Sequence, residues 1–297
     1  MRRPISGPGW IGTLALVVSL SACSASANSP ATGEWLVSPP LASPSSATAG
    51  PCGDGQAGRY VEELFTPLRV VTAAYHADLQ ADVYQPADDP ASCRIGVLWI
   101  HGGGFTQYAR DSPAERAWGA ALASRGYVVA SIDYRLGTGE PFSLDQATDP
   151  ARKAVVADAV ADAGTALGWF RGAAEKWGLD PSRLVVGGTS AGAMIALGAG
   201  LTATGDSRPS AVVAIAGDLK ADWVQAQPPP ALFIHGEVDP LVPYESAVSA
   251  VDLLTRAGGS PTLVTVAGAG HEIAGEPDPE LIDVVSRWMQ QQPALGF

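Results

Sequence analysis

The sequence predicts an α/β domain built on a mainly parallel sheet with helices on both faces. From about residue 59 onward, short apolar runs of strand length alternate with longer Ala-rich segments, the order expected of a sheet layered with helices. Most of these runs are continuously apolar instead of alternating, as strands covered on both faces are. Pro and Gly mark the boundaries between them, where helices and turns start and stop.

Taken in chain order, residues 65–75 and 79–84 read as antiparallel lead-in strands. The buried strands follow at 95–101, 127–133, 183–188, 211–216, 231–235 and 261–266, each short, apolar and bounded by Gly, Pro or polar residues. Helices fit 113–125, 150–177, 191–202, 244–257 and 279–290, and Pro113, Pro150 and Pro279 stand where a first helical turn accepts proline. No internal repeat is evident. About 240 residues in this pattern suit one domain.

The chain ahead of that domain has a different character. Arg2 and Arg3 precede an apolar run at 10–20, and Leu20-Ser21-Ala22-Cys23 closes the segment. This is the layout of a secretory signal over residues 1–22, with a run too short to span a bilayer comfortably. The four closing residues resemble a bacterial lipobox, which implies that Cys23 becomes the acylated first residue of the mature chain. Residues 24–51 are dominated by Ser, Ala and Pro with Glu34 as the only charge, so residues 23–51 read as a flexible tether. The folded domain is then 52–297. Of three cysteines, Cys52 and Cys93 remain, and an oxidising extracytoplasmic setting favours a disulfide between them over two free thiols. With 30 acidic against 18 basic residues and a net charge of -12, phosphate-rich partners are disfavoured: no nucleic acid is expected, and a membrane only through the lipid anchor.

Two motifs carry chemistry. Gly188-Thr189-Ser190-Ala191-Gly192 has the G-x-S-x-G pattern between a predicted strand and a predicted helix, where small neighbours permit a sharp turn that lifts a serine Oγ out of the sheet. His101-Gly102-Gly103-Gly104 follows another strand, and successive glycines let backbone N–H groups face a ligand. A nucleophilic serine needs a base and a group to orient it. Among the four histidines, His101 belongs to the glycine motif, His76 to the lead-in strands and His235 to a strand end. That leaves His271, in a loop after the last predicted strand. Asp239 follows another strand, with Glu237 and Asp218 as competitors for the acid position. Ser190, Asp239 and His271 thus fall in the order Ser, Asp, His, each just beyond a predicted strand end.

On these residues the chain resembles the α/β-hydrolase superfamily over nearly all of 59–297, and within it the HGGG-bearing carboxylesterases related to hormone-sensitive lipase. The Asp133-Tyr134-Arg135 turn adds to the likeness. The resemblance implies a carboxylic ester hydrolase with Ser190 as nucleophile, His271 as base then acid, and Asp239 as the group holding the imidazole. Gly103, Gly104 and Ala191 would donate to the oxyanion. No metal or organic cofactor is called for. Thr189 stands where the hormone-sensitive-lipase group usually has Asp, which loosens the subfamily assignment. The short interval between Ser190 and Asp239 leaves little or no room for a helical cap, and an open site would suit short acyl groups or acyl groups on a polysaccharide, as in similar-looking secreted esterases acting on xylan side groups. Trp223, in that interval, is a candidate substrate contact. A peptidase or amidase of the same fold and a non-catalytic binding lipoprotein are the other readings.

Overall fold

The structure, a computed structural model, describes residues 35–38 and 55–297. Its strands are β1 (Trp35–Ser38), β2 (Leu68–His76), β3 (Leu79–Pro86), β4 (Arg94–Ile100), β5 (Val128–Ile132), β6 (Leu179–Thr189), β7 (Ala211–Ile215), β8 (Ala231–Gly236) and β9 (Pro261–Val266). The helices are α1 (Pro113–Ala123), α2 (Pro150–Gly172), α3 (Ala174–Trp177), α4 (Ala191–Thr202), α5 (Tyr244–Arg256) and α6 (Pro279–Gln290). The strands form one sheet in the order β1-β9-β8-β7-β6-β4-β5-β3-β2. From β5 through β4, β6, β7 and β8 to β9 every pairing is parallel, while β3 and β2 at one edge and β1 at the other are antiparallel.

The alternation of side chains along each strand splits the core in two. Ile95, Val97 and Trp99 of β4 and Leu232 and Ile234 of β8 face α1 and α6, together with Trp118, Leu122, Leu281 and Trp288. Leu98 and Ile100 of β4 and Phe233 of β8 face the opposite way, toward α2, α4 and α5. Each fully buried aliphatic or aromatic side chain of this kind contributes about 1.5–3 kcal/mol. Helix α4 is buried from Ala191 to Leu201, which explains why its apolar residues show no single stripe.

Three differences from the sequence reading have local physical causes. The tether over residues 23–51 is not uniform: β1 forms inside it and pairs with β9 from Trp35↔Val266 to Ser38↔Leu263. Trp35-Leu36-Val37 is a β-prone apolar tripeptide that the surrounding Ser, Ala and Pro outweigh in a composition average. The helix expected over 150–177 breaks at Ala173, leaving α3 as a separate turn that ends at Gly178 in the left-handed region, φ 63°. The break buries Trp177, whose ring meets Trp169 edge-on at 6.3 Å. Strand β6 starts at Leu179, ahead of the expected Arg183, because Arg94 of β4 holds the carbonyls of Trp177 and Gly178 with its guanidinium and draws that segment into the sheet. Between β6 and β8 the helical pieces are α4 and two 3-10 turns, at Gly205–Ser207 and Ala221–Trp223.

Trp118 on α1 is fully buried, and its ring packs 4.4 Å from that of Trp99 on β4. Trp118→Ala is expected to cost about 3–5 kcal/mol of unfolding free energy through lost burial and a residual cavity. Urea denaturation checks it by a lower midpoint at unchanged slope.

Candidate active site

The C-terminal ends of β4, β6, β8 and β9 carry the predicted site residues, as expected of a parallel sheet, where loops at that edge converge. Ser190 joins β6 to α4 with φ 52° and ψ -122°, an unusual conformation for a residue other than glycine. Its backbone is pinned by the Ser190 N–H to Ile215 carbonyl hydrogen bond at 2.8 Å and by the Met194 N–H donating to the Ser190 carbonyl at 3.2 Å. A Cβ on Gly188 or Gly192 would collide with the Ile100 carbonyl oxygen. The two flanking glycines of the motif are therefore what allow the turn to lie against the end of β4. Ser190 precedes α4 without capping it through its side chain, which leaves Oγ for another partner.

That partner is His271. Its Nε2 lies 3.0 Å from Ser190 Oγ, and its Nδ1 lies 2.7 Å from Asp239 Oδ2. Asp239 sits in the loop between β8 and α5; its Oδ1 accepts from the N–H groups of Leu241 and Val242 at 2.8 and 2.9 Å. Burial pushes its carboxyl up, but the hydrogen bonds from His271, Val242 and Leu241 outweigh burial and hold it below the usual range. The carboxylate thus fixes the tautomer in which Nδ1 carries the proton and Nε2 can accept one from the serine. The His271 loop is tied to the acid loop by Glu237 N–H donating to the Val266 carbonyl and Val238 N–H to the Ala269 carbonyl. Both competitors for the acid position are engaged elsewhere: Glu237 accepts from Gly268 N–H, and Asp218 from Leu219 N–H. His235 is buried, its burial lowers its pKa, and its Nε2–H donates to the Val242 carbonyl, so it braces the loop on which Asp239 lies. His76 is exposed at the end of β2.

Gly103 and Gly104 both have positive φ, 101° and 55°. Among the described residues, the N–H groups of Gly103, Gly104 and Ala191 have no protein acceptor. The Ala191 N–H opens α4, so the positive end of the helix dipole adds to it. Such donors can stabilise a negative oxygen forming beside Ser190. Trp223 does not join this group. Its ring approaches α4 at Gly198, about two turns beyond the serine, and lines a separate cleft of about 440 Å3 with Val156, Val160 and Lys220. Cys23 and Cys52 lie outside the described residues, and Cys93 just precedes β4.

Sequence reasoning missed the groups behind the glycine turn. Phe142, in a stretch with acidic residues at Glu140, Asp145 and Asp149, is buried; its N–H donates to the Gly104 carbonyl and its ring stacks on Phe105. Behind Gly102 lie three buried ionisable groups. His101 is held neutral by burial, which lowers its pKa to about 4, and its Nδ1–H donates to the Gly102 carbonyl at 2.8 Å. Tyr134 stacks on the His101 ring at 4.3 Å and donates its O–H to the carbonyls of Gly102 and His101. Glu115, in the first turn of α1, is 3% exposed, and burial pushes its carboxyl up to about 7. Its only sequence signal is the Ser112-x-x-Glu115 spacing, which suggests a helix cap facing solvent.

Comparison with known proteins places this geometry among related chains. The BD-FAE family matches residues 81–217, and a family described as TAP-like protein matches residues 211–291. The chain is 26% identical to Esterase LipC of Mycobacterium tuberculosis over 271 residues, covering 74% of this chain and 62% of that one. It is 33% identical to ethyl acetate hydrolase of Pseudomonas putida over 137 residues, covering 45% of this chain and 37% of the relative. The matched part therefore spans less than two thirds of either curated relative. The fold is similar to that of a thermophilic esterase of Thermogutta terrifontis solved with butyrate bound, with a TM-score of 0.60 at 24% identity over 73% of this chain and 90% of that one.

The Glu115 carboxyl has a sign-determined effect on stability. Its pKa is raised from 4.5 in the folded protein, so the neutral form is favoured there, and stability from this group is full below about 4.5 and lost as pH rises through about 7. The shift corresponds to about 3 kcal/mol. Glu115→Gln should therefore gain stability over the wild type at pH 8 relative to pH 4.5 by about that amount. Parallel stability curves for the two proteins between those pH values would contradict it.

Proposed function

We propose that this member of the α/β-hydrolase superfamily is a serine carboxylesterase, with Ser190 as nucleophile, His271 as general base and acid, and Asp239 as the carboxylate that orients the imidazole. The observation that carries the reading is the continuous hydrogen-bonded line from Asp239 through His271 to Ser190 Oγ, beside three N–H groups without acceptors among the described residues.

In this mechanism Ser190 Oγ attacks the ester carbonyl carbon while His271 Nε2 takes its proton. The carbonyl oxygen becomes an oxyanion, and the N–H groups of Gly103, Gly104 and Ala191 receive it. As the tetrahedral intermediate collapses, the C–O bond to the alcohol breaks and the alcohol leaves with the proton from Nε2. Water then attacks the acyl-serine, His271 takes its proton and returns it to Ser190 Oγ, and the carboxylic acid is released. Asp239 stabilises the imidazolium in both steps; the proton that His271 carries comes from Ser190 in the first and from the entering water in the second.

Short acyl groups, or acyl groups displayed on a polysaccharide, are the proposed substrates. Support comes from the lack of a helical insertion over the strand ends among the described residues. Exposed apolar side chains flank the site, with Tyr108 against Gly103 and Val238 and Leu241 on the Asp239 loop. Ethyl acetate hydrolase and the butyrate-bound Thermogutta esterase are relatives with small acyl groups in their names or structures. We also propose export, with a signal over 1–22, a lipid anchor at Cys23, an extracytoplasmic location and a Cys52–Cys93 bridge; the disulfide-bonded state of Cys93 supports the last.

Hydrolysis of p-nitrophenyl esters from acetyl to palmitoyl tests the assignment. Activity is expected to be greatest on the shorter chains, and Ser190→Ala to reduce kcat by at least about 10^4-fold. No turnover of any ester, together with no labelling of Ser190 by a fluorophosphonate, would instead leave a binding protein with this fold. Asp239→Asn places an amide opposite Nδ1, which favours the wrong tautomer and should lower kcat by about 10^4-fold at neutral pH with little change in KM.

A further inference from the structure

Helices α2 and α4 and the 3-10 turn at Ala221–Trp223 enclose the cleft of about 440 Å3 that Trp223 lines. Its volume is that of a small-molecule site, for which roughly 300–1,000 Å3 is usual. Neither the glycine turn nor any of Ser190, Asp239 and His271 lines it. Its walls are largely apolar, with Val156, Val160 and Leu167 from α2 facing the half-buried ring of Trp223. Along α2 it extends from Lys153 to Gly168, about 22 Å at the helical rise.

Charge is unevenly distributed around this cleft. The chain holds only three lysines, Lys153, Lys176 and Lys220. Two of them line the cleft, and among the described residues no Asp or Glu does. Lys220 Nζ lies 5.4 Å from the centre of the Trp223 ring and 3.4 Å from Asp222 Oδ2, an exposed pair of a kind that holds its partners weakly. Lys153 has no ion pair among the described residues. Two ammonium groups against one neighbouring carboxylate leave a single uncompensated positive charge, a local reversal of sign in a chain of net charge -12 that attracts an anion.

The space itself has a cost. Gly164 and Gly168 stand inside α2, where glycine weakens a helix relative to alanine, and a Cβ on either would meet nothing within 4 Å. The interior glycines of α1 and α4 differ: a Cβ on Gly119, Gly192, Gly198 or Gly200 would run into Tyr84, the Ile100 carbonyl, Val160 or Val212. Packing within the fold explains the latter glycines and does not explain the pair in α2, which line the cleft.

We propose that this cleft is a second ligand site and that it takes a linear alkyl carboxylate. The chain lies along α2 against Val156, Val160 and the Trp223 ring, and Lys153 and Lys220 hold the head. One net positive charge suits a carboxylate better than a doubly charged phosphate, and an elongated groove suits a chain better than a compact ring. The proposal does not depend on the serine-esterase reading, since it uses none of the residues in the catalytic line.

The test is calorimetric titration of the full chain with dodecanoate below its micelle-forming concentration, beside dodecyltrimethylammonium as the oppositely charged probe. Dodecanoate should bind saturably with a Kd of about 1 mM or tighter, and the cationic probe at least about tenfold more weakly. Lys153→Gln and Lys220→Gln together should weaken dodecanoate at least about fivefold, and Trp223→Ala by a similar factor. Gly164→Met fills the cleft, so binding should fall at least about tenfold while the melting temperature holds or rises, methionine being the better helix former. Gly168→Met is the parallel variant should Gly164→Met fail to fold. No saturable binding, equal binding of the cationic probe, or undiminished binding in the cleft-filling variant would each overturn the site. None of these outcomes bears on ester hydrolysis at Ser190, which the p-nitrophenyl series decides separately.

Discussion

The close crossing of the first turn of α4 over the end of β4 is the constraint on which the site depends. Gly188 and Gly192 leave no side chain between the serine turn and the Ile100 carbonyl, so the backbone can bend through Ser190 at φ 52°. A non-glycine residue in that conformation costs about 1–3 kcal/mol. The cost is offset because α4 is buried along almost its whole length between the sheet and α2. The strain and the packing are thus parts of one arrangement: the helix stays where the core holds it, and the serine is presented at its N-terminus.

Once α4 and β4 are this close, the two halves of the site have little freedom left. The turn after β4 must lie beside Ser190, and Gly102 packs directly against it. The loops after β8 and β9 are joined by backbone hydrogen bonds, so Asp239 and His271 arrive as one unit, with His235 bracing the acid loop from below. Burial then sets the charge states. It keeps His101 neutral and raises Glu115, whereas at Asp239 three hydrogen bonds reverse its effect. Charge is thereby retained at the carboxylate that faces the imidazole and suppressed at His101, whose role is structural.

The alternation of Ile95, Val97 and Trp99 with Leu98 and Ile100 along β4 shows how one strand supports both cores. The same alternation places the strand ends, not their faces, as the free surface of the sheet. This is why residues far apart in the chain, such as Ser190 and His271, meet at one edge.

The sequence by itself determined the strand and helix series, the two glycine motifs and the order Ser190, Asp239, His271. Each of these is local: a run of apolar residues, a proline at a first turn, or glycines at a bend acts within a few residues and is read without knowing what lies opposite. What only the tertiary structure decided depends on neighbours distant in sequence. The Trp35–Val37 segment becomes a strand because β9 offers it an unpaired edge. Trp223 lies against α4 at Gly198, where the helix has no side chain to exclude its ring. Glu115 carries a solvent-facing cap pattern in its own helix, yet it is buried once α1 packs on β3, β4 and β5. Hydrogen-bond donors and packing gaps of this kind exist only after distant segments have come together, so no local pattern could announce them.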